Sequence, residues 1–382
     1  MKLKLLHTPE GVRDIYNGEC KERNLITDKI YEVFKSYGYE NIITPTFEFF
    51  DIFGKERGTV KSRNMIKFFD RDGRTLVLRP DMTPGVARCA AKYFEDSSQA
   101  VRLSYLGNTF IDNSKYQGRL KETTQQGVEL IGDDSIYADA EAVAVLIKSL
   151  LASGLNEFQV EIGHVGYFTG LANEAGLSET AAGELSEIIR NKNMFLIDDL
   201  LSKEGVSDKM RDIFNRLPQM FGGEELLEEA KSLCDNEISL TALRRLKDVY
   251  DILKCYGVEK YVTFDIGMVS ELKYYTGLIF KAYTYDVGVP VSSGGRYDGL
   301  IGQFGKDKPS IGFSIVVDIL HQALKRQGIK LGCENKGVYI IAKGDKSAAI
   351  MKAEELRASG KCVTLGSDAT ANADLYEEII EL

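Results

Sequence analysis

The chain has 382 residues, of which 44% are hydrophobic and 27% charged, with a formal net charge of −9. That length has room for about two or three domains with full cores, and the acidic balance argues against a dominant nucleic-acid surface, which needs clustered Lys and Arg. The six cysteines (Cys20, Cys89, Cys234, Cys255, Cys333, Cys362) include no CxxC pair and only three histidines occur (His7, His164, His321), so no zinc site, disulfide framework, other metal or cofactor is expected.

The N-terminal MKLKLLHTPEGVRD lacks the apolar core of a signal peptide, and no apolar run approaches the roughly 18 residues that span a bilayer. A cytoplasmic protein without membrane contact is expected. A helix is expected from Asn17 to Tyr37, with Leu25, Ile26, Ile30, Val33 and Phe34 at helical spacing, ended by Gly38. NIITPTFEFFDIF then reads as a strand carrying Pro45, which belongs at an edge or interface because proline donates no ladder hydrogen bond. DRDG at Asp70 to Gly73 is a hairpin turn between strands around Phe68, Phe69 and Leu76, Val77, Leu78. Thr83 and Pro84 read as the N-cap and first-turn proline of the next helix.

SYLGNTFIDNSKYQGRLKETTQQGVELIG, Ser104 to Gly132, reads as a long hairpin with a polar loop from Asp112 to Thr124. Alternation puts Gln125 and Glu129 on one face of its second strand, roughly 13 Å apart at about 3.3 Å per residue. An amide and a carboxylate beside Thr123 make a poor core face; they suit either solvent or a small ligand with an ammonium group and hydrogen-bond donors.

DDSIYADAEAVAVLIKSLLASG has the acidic start, apolar stripe and terminal Gly154 of a complete helix. Glu157 to Gly163 is a short strand, and Tyr167 to Tyr256 is almost purely helical, with breaks near Gly205, Leu217 to Gly223 and Asn236. YVTFDIGMVSELKYYTGLIFKAYTY returns to strand, where Tyr274 and Tyr275 read as core aromatics. VSSGGRYDGLIGQFG matches neither nucleotide-binding glycine pattern, PSIGFSIVVDILHQALKRQ reads as strand into helix, and the tail as β-α-β-α.

LRPDMTP at Leu78 to Pro84, the hairpin with GRLKETTQQGVE, LKYYTG at Leu272 to Gly277, GGRYDGL and PSIGFSI occur together and in this order. In this the chain resembles histidyl-tRNA synthetase from about Thr8 to Leu320. The resemblance implies an α+β fold: a class II aminoacyl-tRNA synthetase-like antiparallel sheet flanked by helices, with a helical insertion and a small C-terminal α/β domain. It implies a synthetase-like core at 1–165 and 258–328, a helical insertion domain at 166–257 and a truncated α/β domain at 329–382. The first helix, strand and proline would then build a dimer interface.

The resemblance further implies a histidine-binding set: Asp81, where the family usually has glutamate, with Thr83, Gln125, Glu129, Tyr274 and Tyr275. Asp81 has the competing reading of a helix cap. Adenylate chemistry needs fixed cations on the phosphates, yet the family's arginine positions hold Ile111, Ser270 and Ile319, and a glutamate position holds Asn113. Isoleucine cannot replace a bidentate arginine; Arg79 and Arg119 remain as candidate anion contacts. Thr124 also departs from the usual residue beside the glutamine.

A kept amino-acid pocket beside a dismantled nucleotide site resembles the regulatory subunits of short-form ATP phosphoribosyltransferase, synthetase paralogues acting in histidine biosynthesis. Expected from this are no catalytic residues, a short catalytic subunit as partner, L-histidine as effector, self-association of the core, a hetero-octamer, and no specific tRNA. The competing classes are a divergent amino-acid-activating enzyme and a stand-alone histidine-binding module.

Overall fold

A computed structural model describes residues 6–54, 60–112, 120–191, 193–269, 274–332, 337–367 and 376–382. Helix α1 (Asn17–Ser36) buries Ile26, Ile30 and Phe34 along one stripe, the four-residue spacing of a single helix face. The strand expected through Pro45 is broken into β1 (Glu40–Asn41) and β2 (Phe47–Phe49). Pro45 lies between them, where no ladder bond needs its missing N–H. β3 (Lys67–Phe69) and β4 (Thr75–Leu78) flank the DRDG turn and form a small antiparallel sheet in the order β2-β4-β3.

Helix α2 (Thr83–Tyr93) corrects the expected cap: Met82 holds the N-cap position and Thr83 is the first helical residue. The Thr83 N–H donates to Asp81 Oδ1 at 3.2 Å, so Asp81 closes the helix start. This leaves the Thr83 hydroxyl available for a distant partner.

The hairpin of β5 (Val101–Phe110) and β6 (Glu122–Ile131) forms as expected, paired from Val101↔Ile131 to Phe110↔Glu122. Helix α3 (Ile136–Ser153) starts at Ser135, whose hydroxyl accepts the Ala138 N–H, and stops at Gly154 with φ +101°, a conformation that L side chains avoid. β7 (Gln159–His164) follows. The helical stretch contains α4 (Val165–Glu174), α5 (Glu179–Arg190), α6 (Met194–Lys203) and α7 (Asp208–Arg216). After the short strand β8 (Phe221–Gly222) come α8 (Glu225–Ser232) and α9 (Glu237–Tyr256). The sheet resumes with β9 (Val262–Asp265), β10 (Leu278–Tyr283), β11 (Ser292–Arg296) and β12 (Ser310–Val316), then α10 (Val317–Arg326). Tyr274 and Tyr275 therefore precede a strand and are not in one.

Among the described residues the large sheet has the order β1-β5-β6-β12-β11-β10-β7-β9-β8. Its centre, β5 to β7, is antiparallel throughout, while β1 and β9 join in parallel. This is the class II synthetase-like α+β fold. Helix α3 packs on the sheet between α1 and α9, which explains why it is apolar nearly all round. Phe313 of β12 sits in the core against the rings of Phe34 and Phe280, at 5.9 and 6.4 Å. Burial of a side chain of that size stabilises by about 1.5–3 kcal/mol.

The chain divides into two compact units, Met1–Lys330 and Leu331–Leu382. The second has β13 (Gly337–Ile341), α11 (Lys346–Ala358), β14 (Val363–Gly366) and β15 (Tyr376–Glu381), with parallel strands ordered β14-β13-β15. Its last element is a strand where a helix was expected. Ile380 packs against the Val338, Ile340, Ala349 and Ala353 cluster, so pairing on the free edge of β13 decides the conformation of this short acidic segment.

Candidate functional site

A cavity of about 180 Å³ opens on the face of β6, β11 and β12, smaller than the ~300–1,000 Å³ of sites for drug-sized ligands and suited to a small molecule. Asp81, Thr83, Gln125, Glu129, Tyr274 and Tyr275 all line it. They come from three separated segments: the start of α2, strand β6, and the turn before β10. Ile111 is also on its wall.

Glu129 lies at its floor, 1% exposed. Its Oε1 accepts from the Thr83 hydroxyl at 2.8 Å and its Oε2 from the Tyr297 hydroxyl at 2.5 Å. Gly312 on the paired strand makes room for this carboxylate, since a Cβ there would collide with Glu129 Oε2. Burial raises the Glu129 carboxyl from 4.5 to about 8; the two hydroxyl bonds oppose the rise and Asp81 adds to it. Glu129 is thus largely protonated at neutral pH until a cation joins it.

The Gln125 amide oxygen is buried without a hydrogen-bond partner among the described residues, an acceptor ready for a ligand N–H. Tyr274 packs edge-on against both Tyr275 and Tyr297, at 4.9 and 5.8 Å between centroids. Burial holds all three phenols above their ordinary range, so they act as neutral walls and hydrogen-bonding groups. Tyr297 went unrecognised as a site residue, although GGRYDGL carries it; its role depends on a contact to a residue 168 positions away.

The other expected positions behave differently. Arg79 is 7% exposed; its Nε donates to the Asn108 carbonyl at 2.7 Å and its Nη1 to the Thr44 and Pro45 carbonyls at 2.8 and 3.3 Å. Its guanidinium fastens the β4 end to neighbouring backbone. Asn113, Arg119 and Ser270 lie outside the described residues. Ile319 follows Asp318, whose carboxylate takes Arg23 Nη1 at 2.6 Å and the Thr124 N–H at 2.7 Å. Arg23 Nη2 reaches the Thr124 hydroxyl at 2.8 Å. The buried cation near this end of β6 is thereby neutralised inside the protein.

A larger and more open depression of about 690 Å³, lined by Phe158, Glu161, Tyr261 and Tyr283 among others, lies at the opposite ends of β7 and β10. It gathers none of the expected residues. Among the described residues no His, Cys, Asp and Glu cluster could hold a metal ion, and no helix is long and apolar enough to cross a membrane.

Fold and cavity together define a class II synthetase-like protein with an amino-acid-sized pocket. The family profile described as Histidyl-tRNA synthetase matches residues 11–320. A protein of Acetivibrio thermocellus named ATP phosphoribosyltransferase regulatory subunit is 39% identical over 359 residues, covering 94% of this chain and 86% of its own. Its namesake in Thermoanaerobacter pseudethanolicus is 36% identical over 382 residues, covering 99% and 100%. The crystal structure of an ATP phosphoribosyltransferase regulatory subunit/histidyl-tRNA synthetase from Bacillus halodurans superposes with a TM-score of 0.91 at 33% identity, over 100% of this chain and 99% of that one. Histidyl-tRNA synthetase from Nostoc shares the fold, at TM-score 0.81 and 21% identity over 97% of this chain and 88% of that one. The chain belongs to the histidyl-tRNA synthetase family, among its ATP phosphoribosyltransferase regulatory subunits.

Proposed function

We propose that this chain is a non-catalytic regulatory subunit of a short-form ATP phosphoribosyltransferase in histidine biosynthesis, which activates the catalytic subunit and makes it responsive to L-histidine bound in the cavity. The observation that carries this reading is the presence in one cavity, inside tyrosine walls, of the buried Glu129 carboxyl and a Gln125 amide acceptor that has no hydrogen-bond partner among the described residues. Histidine offers the matching groups, an ammonium for a carboxylate and an imidazole N–H for an acceptor. Arg23 held by Asp318, Arg79 held by carbonyls, and isoleucines at 111 and 319 leave the neighbouring region poorly equipped for phosphates, which favours a sensor over an adenylating enzyme.

Feedback requires histidine to bind the inhibited complex better than the active one, a coupling free energy between two sites. In the proposed assembly two copies associate through the edge that exposes Ile43, Phe47, Phe49 and Phe69, apolar groups that favour a partner. The assembly is a cytoplasmic hetero-octamer without specific tRNA binding, and 166–257 is an insertion within a core of 1–165 and 258–328.

The test mixes the purified chain with a short-form catalytic subunit. Light scattering is expected to register a complex, and phosphoribosyl transfer to rise on mixing and fall with added histidine. Absence of association with an unaltered rate would contradict the reading.

A further inference from the structure

Behind the tyrosine wall lies a buried ion cluster that joins the cavity to the helical stretch. Asp139 of α3 is fully buried and receives two guanidinium groups. Arg296, 3% exposed at the end of β11, places Nε 2.8 Å and Nη2 2.7 Å from Asp139 Oδ1. Its Nη1 donates to the Asp133 carbonyl at 3.1 Å and to Asp298 Oδ1 at 3.2 Å. Arg245 comes from α9; its Nε donates to Asp139 Oδ2 at 2.6 Å and its Nη2 to the Asp134 carbonyl at 2.7 Å.

Arg296 governs two cavity walls at once. It precedes Tyr297, whose hydroxyl holds Glu129. Its carbonyl accepts the Thr276 N–H at 2.8 Å, while the Thr276 hydroxyl accepts the Asp298 N–H at 3.1 Å, so the turn bearing Tyr274 and Tyr275 is pinned to the same segment. The cluster also reaches the junction of β7 and α4: burial, reinforced by Arg245 and Arg296, lowers His164 to about 4. His164 stays neutral there, and its Nδ1 accepts the Gly166 N–H at 3.0 Å.

We propose that Arg245 is a positioning residue for the cavity: through Asp139 and Arg296 it fixes Tyr297, Tyr274 and Tyr275 around the ligand, and so links occupancy of the cavity to α9. The inference rests on the histidine reading of the cavity. Removal of Arg245 leaves Asp139 paired with Arg296 through Oδ1, one carboxylate with one guanidinium, but takes from the buried Oδ2 its Arg245 Nε donor, a loss that Arg245→Lys, which keeps a cation there, is chosen to offset. The link is reciprocal, because whatever histidine does to α9, α9 does to histidine affinity.

The experiment compares the full chain with Arg245→Met and Arg245→Lys. Calorimetry with L-histidine is combined with amide hydrogen exchange across α9, with and without saturating histidine. The expected results are an affinity loss of about tenfold in Arg245→Met, recovered in part by Arg245→Lys, and histidine-dependent slowing of α9 exchange in the wild type that Arg245→Met lacks when saturated. A purely structural role would lower stability without making α9 exchange respond to histidine. Unchanged affinity in Arg245→Met, or wild-type α9 exchange blind to bound histidine, overturns the proposal while leaving the cavity reading intact. No histidine binding by the wild type overturns both.

Discussion

The Tyr297 hydroxyl donates to Glu129 Oε2 across 2.5 Å, joining two residues 168 positions apart at the floor of the cavity. With Thr83 on the other oxygen, both Glu129 oxygens are held before any ligand arrives. Such preorganisation lowers the ordering that binding must impose.

Glu129→Gln keeps the shape of the group and removes its charge. Histidine affinity is expected to fall about 10- to 100-fold, the ~1.5–3 kcal/mol of a hydrogen bond to a charged group, and Tyr275→Ala is expected to weaken histidine inhibition with the fold intact. Inhibition assays of the assembled complex check both, with circular dichroism for the fold. Unchanged histidine sensitivity would count against the pocket assignment.

The Glu129 carboxyl, raised by burial from 4.5 to about 8, also makes stability depend on pH. Between those values the folded chain holds a proton that the unfolded chain has released, so stability falls as pH rises through the window and levels above it. Glu129→Gln removes this slope. Its melting temperature is expected to exceed the wild type's at about pH 8.5, with the gap shrinking towards about pH 5; parallel melting curves at both values would refute this.

A ligand ammonium near Glu129 favours the carboxylate, so histidine binding at about pH 7 is expected to release a proton. Affinity should then rise with pH up to about 8. Titrations in buffers of different ionisation enthalpy read the proton directly, and heats independent of buffer would rule out its release.

Gly312→Ala places a methyl group against Glu129 Oε2 and the Val128 carbonyl. The expected destabilisation is about 1–3 kcal/mol, as for other overpacked sites, with loss of histidine binding. Gly299→Ala meets nothing within 4 Å and serves as a near-neutral control in denaturant unfolding.

Restoring arginine at Ile111, Ser270 and Ile319 is expected to produce no charging of tRNA. Arg23 and Asp318 already form a closed pair beside the last of these positions, and three added cations do not rebuild a preorganised phosphate site. Detectable aminoacyl-tRNA from that triple variant would contradict this.

Much of the architecture was legible because it is local. Helix α3 announces its own ends through its acidic start and Gly154, and the hairpin of β5 and β6 through alternation and its polar loop. The six residues of the histidine set came from resemblance, and the structure gathers them around one cavity. What escaped was decided by long-range partners. Thr83 reads as a cap until Glu129 is seen to take its hydroxyl, and the carbonyls that take Arg79 Nε and Nη1 lie on segments no local pattern connects to it. Tyr376–Glu381 reads as helix until the edge of β13 claims it. The Arg245, Asp139 and Arg296 cluster joins three elements whose sequence separation no periodicity can bridge.

Calorimetric titration of the purified full chain with L-histidine, and separately with ATP, tests the central claim most directly. The account expects saturable one-site histidine binding and no heat of binding from ATP. ATP binding, or the absence of histidine binding, would contradict it.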